Sequence, residues 1–381
     1  MVKPHGGRLA NRFLSKRPID KFKDEADEFI KIPINKETHI ELENIAIGTF
    51  SPLEGYMAQN DFESVLDTNR LPTGLAWTIP IVFDVTEKQA KLLEKEIELA
   101  LTYQGEIVAL LKVEDIFNPD KKYWAKAVFN TTDIEHPGVS RLYSRNNILL
   151  GGTIDLLKRP EAPFSQYRLT PKETRVLFKA KGWRTIVGFQ TRNAPHIGHE
   201  YVQKTALTFV DGIFINPVIG KKKTGDFKDE VILKSYQTLI DHYYLKERAV
   251  LVTLLTEMRY AGPKEAIFHA IMRKNYGCSH FIIGRDHAGV GNYYPPFAAQ
   301  DIFEEFPDLG IVPLFFKSFS RCTKCGSVVN EKICPHSPEF HINFSGTQIR
   351  NMLIQGKHPP EEQMRPEVSD IILQHENPFV E

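Results

Sequence analysis

The sequence predicts an α/β protein in three sections: a mainly β section over residues 1–165, a parallel-sheet section over 166–318, and a small cysteine-bearing section over 319–381. Three observations carry this reading. Short apolar runs broken by Pro, Gly and Asn-Pro turns fill the first section. Strand-like and helix-like stretches then alternate, as a parallel sheet with helices on both faces requires. Beyond residue 319, three cysteines crowd between positions 322 and 334.

In the first section the apolar runs are Trp77–Phe83, Ile107–Leu111 and Tyr123–Phe129, and Glu87–Leu99 reads as an occasional helix. Glu161-Ala-Pro-Phe164 marks the exit. The second section starts with a β-rich run, Arg184-Thr-Ile-Val-Gly-Phe189, followed by a helix-like His199–Phe209. Gly212-Ile-Phe-Ile-Asn216 is the next strand, Lys228–Leu245 a helix and Ala249–Leu255 another strand. Pro263–Tyr276 reads as a helix with Ala266, Ile267, Ala270 and Ile271 on one face and Gly277 at its stop. His280–Ile283 and Ile311–Phe315 add two strands. In sheets of this kind ligands bind beyond the carboxyl ends of the strands. The third section is a cysteine loop and a small helical tail.

Composition narrows the function. With 42% hydrophobic residues the chain can bury ordinary cores, and 48 basic residues balance 48 acidic ones. Zero net charge argues against a protein held by bulk charge on nucleic acid or an anionic membrane. The longest apolar runs, such as Ile311–Phe316, are far too short to span a bilayer. The first residues, MVKPHGGRLANRF, lack the apolar core of a signal peptide. The expectation is a soluble, cytoplasmic protein with neither nucleic acid nor membrane as partner.

The strongest motif is Gln190-Thr-Arg-Asn-Ala-Pro-His-Ile-Gly-His199, placed after a strand and opening a helix. Such a junction offers free backbone N–H groups and a positive dipole end, an anion site. His196-Ile-Gly-His199 spells the HIGH signature of a nucleotidyl-transferring α/β superfamily, in which two imidazoles donate to phosphate oxygens during in-line displacement. Gly284-Arg-Asp-His-Ala-Gly-Val-Gly291 follows another strand, with glycines for a tight turn and Arg285 as a fork of donors for a tetrahedral oxyanion. In Phe344-Ser-Gly-Thr-Gln-Ile-Arg350, Ser345 or Thr347 caps the next helix, or the segment brings Ser, Thr and Arg to the phosphates. Gly220-Lys-Lys-Lys-Thr-Gly-Asp226 fails the Walker spacing. It reads as a solvated basic loop, or as a mobile flap that meets nucleotide or pyrophosphate.

These stretches, with Met258-Arg-Tyr-Ala-Gly-Pro-Lys-Glu-Ala266 and Arg273-Lys-Asn-Tyr-Gly277, closely resemble the ATP sulfurylase family over nearly the whole chain. Pro4-His-Gly-Gly7, Phe50-Ser-Pro-Leu-Glu-Gly-Tyr56 and His136-Pro-Gly-Val139 resemble that family's N-terminal domain, a PUA-like β fold. The resemblance implies a HIGH-type nucleotidyltransferase (Rossmann-like) catalytic domain, and a reaction of MgATP with sulfate that gives adenosine 5′-phosphosulfate (APS) and pyrophosphate. It implies sulfate binding by Gln190, Arg192, Arg285 and the Ala288 N–H. Thr191, Arg192 and Asn193 match catalytic positions, Asn193, His196 and His199 match phosphate contacts, and Gly284, Arg285, Asp286 and His287 match the nucleotide lining; Gln190, Thr191 and Arg192 belong to the ATP site as well. Ala194 and Val290 depart from the family pattern at turn positions. A homo-oligomer, a dimer, is expected from the same resemblance.

Cys322-x-x-Cys325 with Cys334 has the look of a structural zinc loop. His341 is favoured over His336 as fourth ligand, because one residue between Cys334 and His336 would close a very small ring. Cys278 reads as core. Two rival readings stand beside this one: another HIGH-type adenylyltransferase with a phosphate acceptor, and an RNA-binding protein built on the PUA-like section and the zinc knuckle.

Overall fold

The computed structural model describes residues 1–14, 29–95, 97–161 and 163–380, so Ala162 of the expected exit segment lies outside the described residues. Among them, the first sheet contains β1 (Ile30–Pro33), β2 (Gly55–Tyr56), β3 (Phe83–Val85), β4 (Glu98–Tyr103), β5 (Glu106–Phe117) and β6 (Ile148–Leu156). Its order is β1-β4-β5-β6-β2, with β3 also on β6. Only β1 and β4 run parallel; the other pairs are antiparallel. The β4–β5 hairpin turns at Gln104 and Gly105, both with positive φ (52° and 82°), the requirement of a two-residue turn that matches strand twist.

Helices α1 (Lys36–Ala46), α2 (Gln59–Thr68), α3 (Lys121–Phe129) and α4 (Pro137–Ser144) accompany this sheet. Two expectations fail here. Tyr123–Phe129 is not a β-type run but most of α3: Asp120 caps it by accepting the N–H groups of Lys122 and Tyr123, and Trp124, Ala125, Val128 and Phe129 are buried. The expected helix over Glu87–Leu99 shrinks to Glu87–Ala90. A Thr86–Gln89 capping box starts it, but β4 begins at Glu98, where Leu99 and Leu101 enter the core.

The second sheet holds β7 (Ile186–Thr191), β8 (Gly212–Ile219), β9 (Ala249–Leu251), β10 (Leu254–Leu255), β11 (His280–Ile283) and β12 (Val312–Phe315), all parallel. Its order is β10-β8-β7-β11-β12, with β9 also on β8. The expected single strand 249–255 is broken at Val252 and Thr253, whose backbone groups turn to Asn216 Nδ2 and the Tyr167 carbonyl. Helix α5 (Pro171–Ala180) precedes β7, and α6 (Ile197–Leu207), α7 (Asp229–Tyr243) and α8 (Pro263–Tyr276) lie between the strands in sequence. The chain winds outward from β7 through β8 to β10, then returns to lay β11 and β12 on the other side. The reversal falls between β7 and β11, the position where such sheets open a crevice.

Pro263 starts α8 and Gly277, at φ +108°, ends it, as the sequence predicts. Its buried surface is wider than one face: Glu265 through Arg273, Asn275 and Tyr276 are all enclosed. Phe268 meets Phe50 at 5.1 Å and Trp77 at 5.5 Å between ring centroids, so the first and second sheets share one apolar core. Asn275 fastens the same seam, accepting the His5 N–H and donating to the carbonyls of Thr49 and Ser51.

A third sheet, not foreseen, pairs β13 (Ser320–Cys322) antiparallel with both β14 (Ser327–Val329) and β15 (His341–Asn343). Helices α9 (Gly346–Ile354) and α10 (Pro366–Leu373) follow, and this end of the chain grips α7 through Tyr243–Glu367 (2.7 Å) and His375–Glu230 (2.6 Å). Among the described residues no helix is long and apolar enough to cross a membrane.

Because Phe268 is fully buried in the shared core, Phe268→Ala should cost about 3–5 kcal/mol. Urea denaturation should move as a single transition, followed equally by probes in both sheets. Separate transitions would mean that the two sheets do not depend on a common core.

Candidate active site

The loops that leave the carboxyl ends of β7, β8, β10 and β11 gather at one mouth of the parallel sheet. Arg192, just past β7, donates from Nη1 to Tyr260 Oη at 3.1 Å and lies over the same ring. From the β8 loop, Lys223 Nζ sits 4.4 Å from the Tyr260 ring centroid. Tyr260 thus spaces two cations at the mouth. It holds a positive φ of 62°, as do Asp286 (54°) and Ala288 (57°), so unusual backbone is concentrated at these turns. Gln190 makes a weak contact from Nε2 to Met258 Sδ at 3.8 Å. Thr191 Oγ1 closes the next turn against the backbone N–H and carbonyl of Asn193.

His196 is the N-cap of α6: its Nδ1 accepts the His199 N–H at 3.3 Å. An acceptor at Nδ1 leaves the proton of the neutral ring on Nε2, where it can be donated to a ligand. The His196 and His199 rings stack at 3.8 Å between centroids. Burial lowers both pKa values, His196 well below the ordinary 6.5, with His199 adding to the effect, and His199 to about 4. A Cβ on Gly198 would come within 2.9 Å of the His196 ring and 3.0 Å of Phe344, so the glycine permits this close stack.

The helix start is less open than the sequence suggests. The Ile197 N–H donates to the Gln363 carbonyl at 2.9 Å and the His199 N–H is taken by His196, leaving Gly198 to offer a free first-turn donor.

The turn after β11 is braced from below. Asp286 N–H donates to the Pro296 carbonyl, Gly289 N–H to the Asp286 carbonyl, and Ala288 accepts from Gly262 N–H. Gly262, at φ +52°, lies so close to the Tyr294 ring that a Cβ would approach it to 2.7 Å. Arg285 is exposed and pairs with Asp286 at 3.0 Å. His287 borders a cavity of about 180 Å3 with Gly262, Gly289 and Tyr294. A larger cavity, about 630 Å3, lies between the first sheet and the 256–259 loop; its arginines 141, 145 and 259 all have carboxylate partners.

The Phe344–Arg350 segment joins the same mouth. Ser345, not Thr347, caps α9 by accepting the Gln348 N–H. Arg350 Nη2 donates to Asn193 Oδ1 at 3.1 Å, and Nη1 is 4.0 Å from Asp226. Residues 225–228 are bonded to the 378–380 backbone, which carries the Phe227–Phe379 ring contact.

The cysteine group bears on the choice between His341 and His336. His336 Nδ1 lies 3.4, 3.2 and 3.7 Å from the sulfurs of Cys322, Cys325 and Cys334, and Cys325 and Cys334 are 3.7 Å apart. A tetrahedron with metal–sulfur bonds near 2.3 Å has edges of about 3.7 Å, so these four atoms fit a metal ion. His341, the fourth ligand favoured from sequence, instead sits on β15 with Nε2 3.3 Å from Cys334 Sγ, outside that group. The small-ring objection to His336 fails because Nδ1, the nearer ring nitrogen, faces the sulfurs. Cys278 is fully buried, as expected of core.

The structure therefore gathers Gln190, Thr191, Arg192, Asn193, His196 and His199 on one side of the reversal and Gly284, Arg285, Asp286, His287 and Ala288 on the other, at and beyond the carboxyl ends of the adjacent strands β7 and β11. Sequence reasoning missed Tyr260 and Gln363. Tyr260 stood inside a recognised stretch, but only the left-handed turn around it makes it a spacer.

The ATP-sulfurylase family description matches residues 165–375, and a PUA-like domain description matches 2–159. A sulfate adenylyltransferase of Thermococcus onnurineus is 55% identical over 379 residues, covering 100% of this chain and 99% of the relative. One from Pyrococcus abyssi is 55% identical over 380 residues, again covering 100% and 99%, and one from Halothermothrix orenii is 45% identical over 379, covering 98% and 99%. Among solved structures, a hexameric APS kinase from Thiobacillus denitrificans aligns with TM-score 0.78 at 22% identity, over 99% of this chain and 69% of that one. That last likeness is one of fold.

His199 and His269 both fall to about 4 through burial, from an ordinary 6.5. Between these values the unfolded chain takes up protons that the folded protein refuses, so stability falls as pH drops from 6.5 toward 4 and is untouched by them above 6.5. The melting temperature should already decline between about pH 6.5 and 5, and His199→Asn should flatten that slope. An unchanged slope would show that His199 does not titrate there.

Proposed function

Since the chain belongs to the ATP sulfurylase family, nucleotidyltransferases that convert ATP and sulfate to APS and pyrophosphate, we propose a division of labour between its two strand-end turns. Arg192 orients sulfate and offsets its repulsion from the nucleotide, with Gln190, Arg285 and the Ala288 N–H completing the oxyanion site. Asn193, His196 and His199 hold the phosphates, with Thr191 keeping their turn closed. Gly284, Arg285, Asp286 and His287 line the nucleotide. The observation that carries this reading is the pairing of the two turns on neighbouring parallel strands at the sheet's reversal.

A sulfate oxygen attacks the α-phosphorus as the bond to the β-phosphate oxygen breaks in line, and pyrophosphate departs. Sulfate has no proton to lose, so no general base is needed. The cap geometry of His196 supports its role, since its Nε2–H is the donor a developing phosphate charge requires. Neutral rings suit this chemistry, because they donate without binding the product pyrophosphate as a fixed cation would. Arg350, bonded to Asn193, steadies that contact from α9. Lys223 beside Tyr260 favours the flap reading of the 220–226 loop, with the lysine reaching the same anions as Arg192.

Mg2+ belongs to this reading as part of MgATP, where it supplies charge neutralisation on the phosphates. Cys322, Cys325, Cys334 and His336 would hold a structural Zn2+, four protein ligands leaving no open position. The same reading divides the chain at 165 and 318, each section carrying one of the three sheets. It also places the protein in the cytoplasm, in keeping with four free cysteines, and as a homodimer on the strength of the family resemblance.

The test is sulfate- or molybdate-dependent pyrophosphate release from MgATP. The wild type should release it and Arg192→Ala, with an unchanged melting temperature, should not; a folded, active Arg192→Ala would remove Arg192 from the role. Metal analysis should find about one zinc per chain, lost in Cys325→Ser and His336→Ala but kept in His341→Ala. Loss in His341→Ala alone would restore His341 as the ligand.

A further inference from the structure

Beneath the two turns lie two buried polar groups, Glu265 and His269, to which the proposed chemistry assigns no work. Glu265, in the first turn of α8, has no exposed surface. Its Oε1 accepts the Arg259 N–H at 2.8 Å and its Oε2 the Ala261 N–H at 3.0 Å, so one carboxylate clasps the loop on either side of Tyr260. One turn further along α8, His269 Nε2 lies 3.4 Å from Glu265 Oε1, and His269 Nδ1 lies 3.0 Å from His287 Nε2. The Arg259–Ala261 loop carries the tyrosine that bonds Arg192, whereas His287 belongs to the turn after β11. A single buried carboxylate therefore touches the supports of both turns.

We propose that Glu265 is a positioning residue that sets the two turns in register, acting directly on the Tyr260 loop and through His269 on His287. This rests on the assignment of Arg192 to sulfate and of His287 to the nucleotide. The direction of the relay follows from donor and acceptor chemistry. An ionised carboxylate only accepts, so His269 must present Nε2–H to it, which leaves His269 Nδ1 with a lone pair. His287 must then donate Nε2–H to that lone pair, and its own Nδ1 is left as an acceptor. The His287 ring is thereby fixed in one tautomer and one orientation.

Its surroundings agree with this protonation pattern. Burial opposes the charge on Glu265, yet the hydrogen bond from His269 and the Arg259 N–H outweigh it and hold the carboxyl at about 2. Burial keeps His269 near 4 and His287 well below its ordinary value, so both rings carry one proton. Removing the carboxylate frees two N–H groups of the Tyr260 loop and the head of the relay at once.

Three variants separate the limbs, each checked for an unchanged fold by circular dichroism. His269→Phe keeps a ring but breaks only the limb to His287. It should raise KM for ATP roughly tenfold, the scale of one lost hydrogen bond, while leaving KM for sulfate within about twofold. His269→Asn, whose amide oxygen takes the place of Nδ1, should recover most of the loss. Glu265→Gln should raise both KM values and lower kcat/KM roughly 100-fold. Histidine 15N spectra of the wild type should find His269 and His287 neutral and protonated at Nε2. Equal effects of His269→Phe on both substrates, wild-type kinetics in Glu265→Gln, or an Nδ1–H tautomer at either ring would overturn the proposal. A wild type that releases no pyrophosphate would instead defeat the functional assignment, and the spectra would still decide the relay.

Discussion

Everything at the mouth of the parallel sheet rests on a helix that has almost no outside. In α8 eleven residues are buried, among them Glu265, His269, Arg273 and Asn275. A polar group enclosed this way destabilises the fold unless it is hydrogen-bonded, so each must find a partner in a neighbouring element. Those partners define the architecture. Asn275 reaches the first sheet's loops, Arg273 leans toward the Asn216 carbonyl within β8 and over Phe281 of β11, and Glu265 reaches the 259–261 loop. Phe268 and its aromatic neighbours exclude water from the same seam. The helix thus fixes the distance between the PUA-like sheet and the catalytic one and the height of the turns above it.

The mouth itself combines neutral and charged donors in a definite arrangement. His196 and His199 are stacked and uncharged, and the permanent charges stand apart on Arg192, Lys223 and Arg350. Among the described residues, the cations close to Tyr260 gain from the ring face without a carboxylate partner. Arg285, by contrast, is paired with Asp286. The positive φ values at Tyr260, Asp286 and Ala288 fall in the same strand-end turns.

How much of this was legible in the sequence depended on how local the cause was. The bounds of α8 were readable because Pro263 and Gly277 act within a turn of themselves. The two strand-end turns were readable because each follows a β-rich run with small or turn-forming residues. Tyr123–Phe129 was misread because a short apolar run has no decisive period, and the deciding residue, Asp120, lies before it. His341 was preferred to His336 on ring size, but which imidazole nitrogen faces the sulfurs is set by how the 334–336 backbone folds against the small sheet. The blocking of the α6 start by Gln363 could not be seen at all, since nothing near Ile197 in sequence announces it. The Lys223–Tyr260–Arg192 stack joins three strand-end loops and exists only once the sheet has formed.

The late residues that close the mouth have a consequence for how the molecule is made. Arg350 and Asn193 are 157 positions apart, Gln363 meets Ile197, and residues 378–380 bond to 225–228. Contacts so distant along the chain form slowly, because loop closure must come before the reward. On a ribosome, the six parallel strands are all available once Phe315 has emerged, yet the helix start at Ile197 and the basic loop still await their covers. The nascent protein passes through a stage with a finished sheet and an unfinished mouth, its apolar α7 surface bare. That interval is when association with other chains competes with folding.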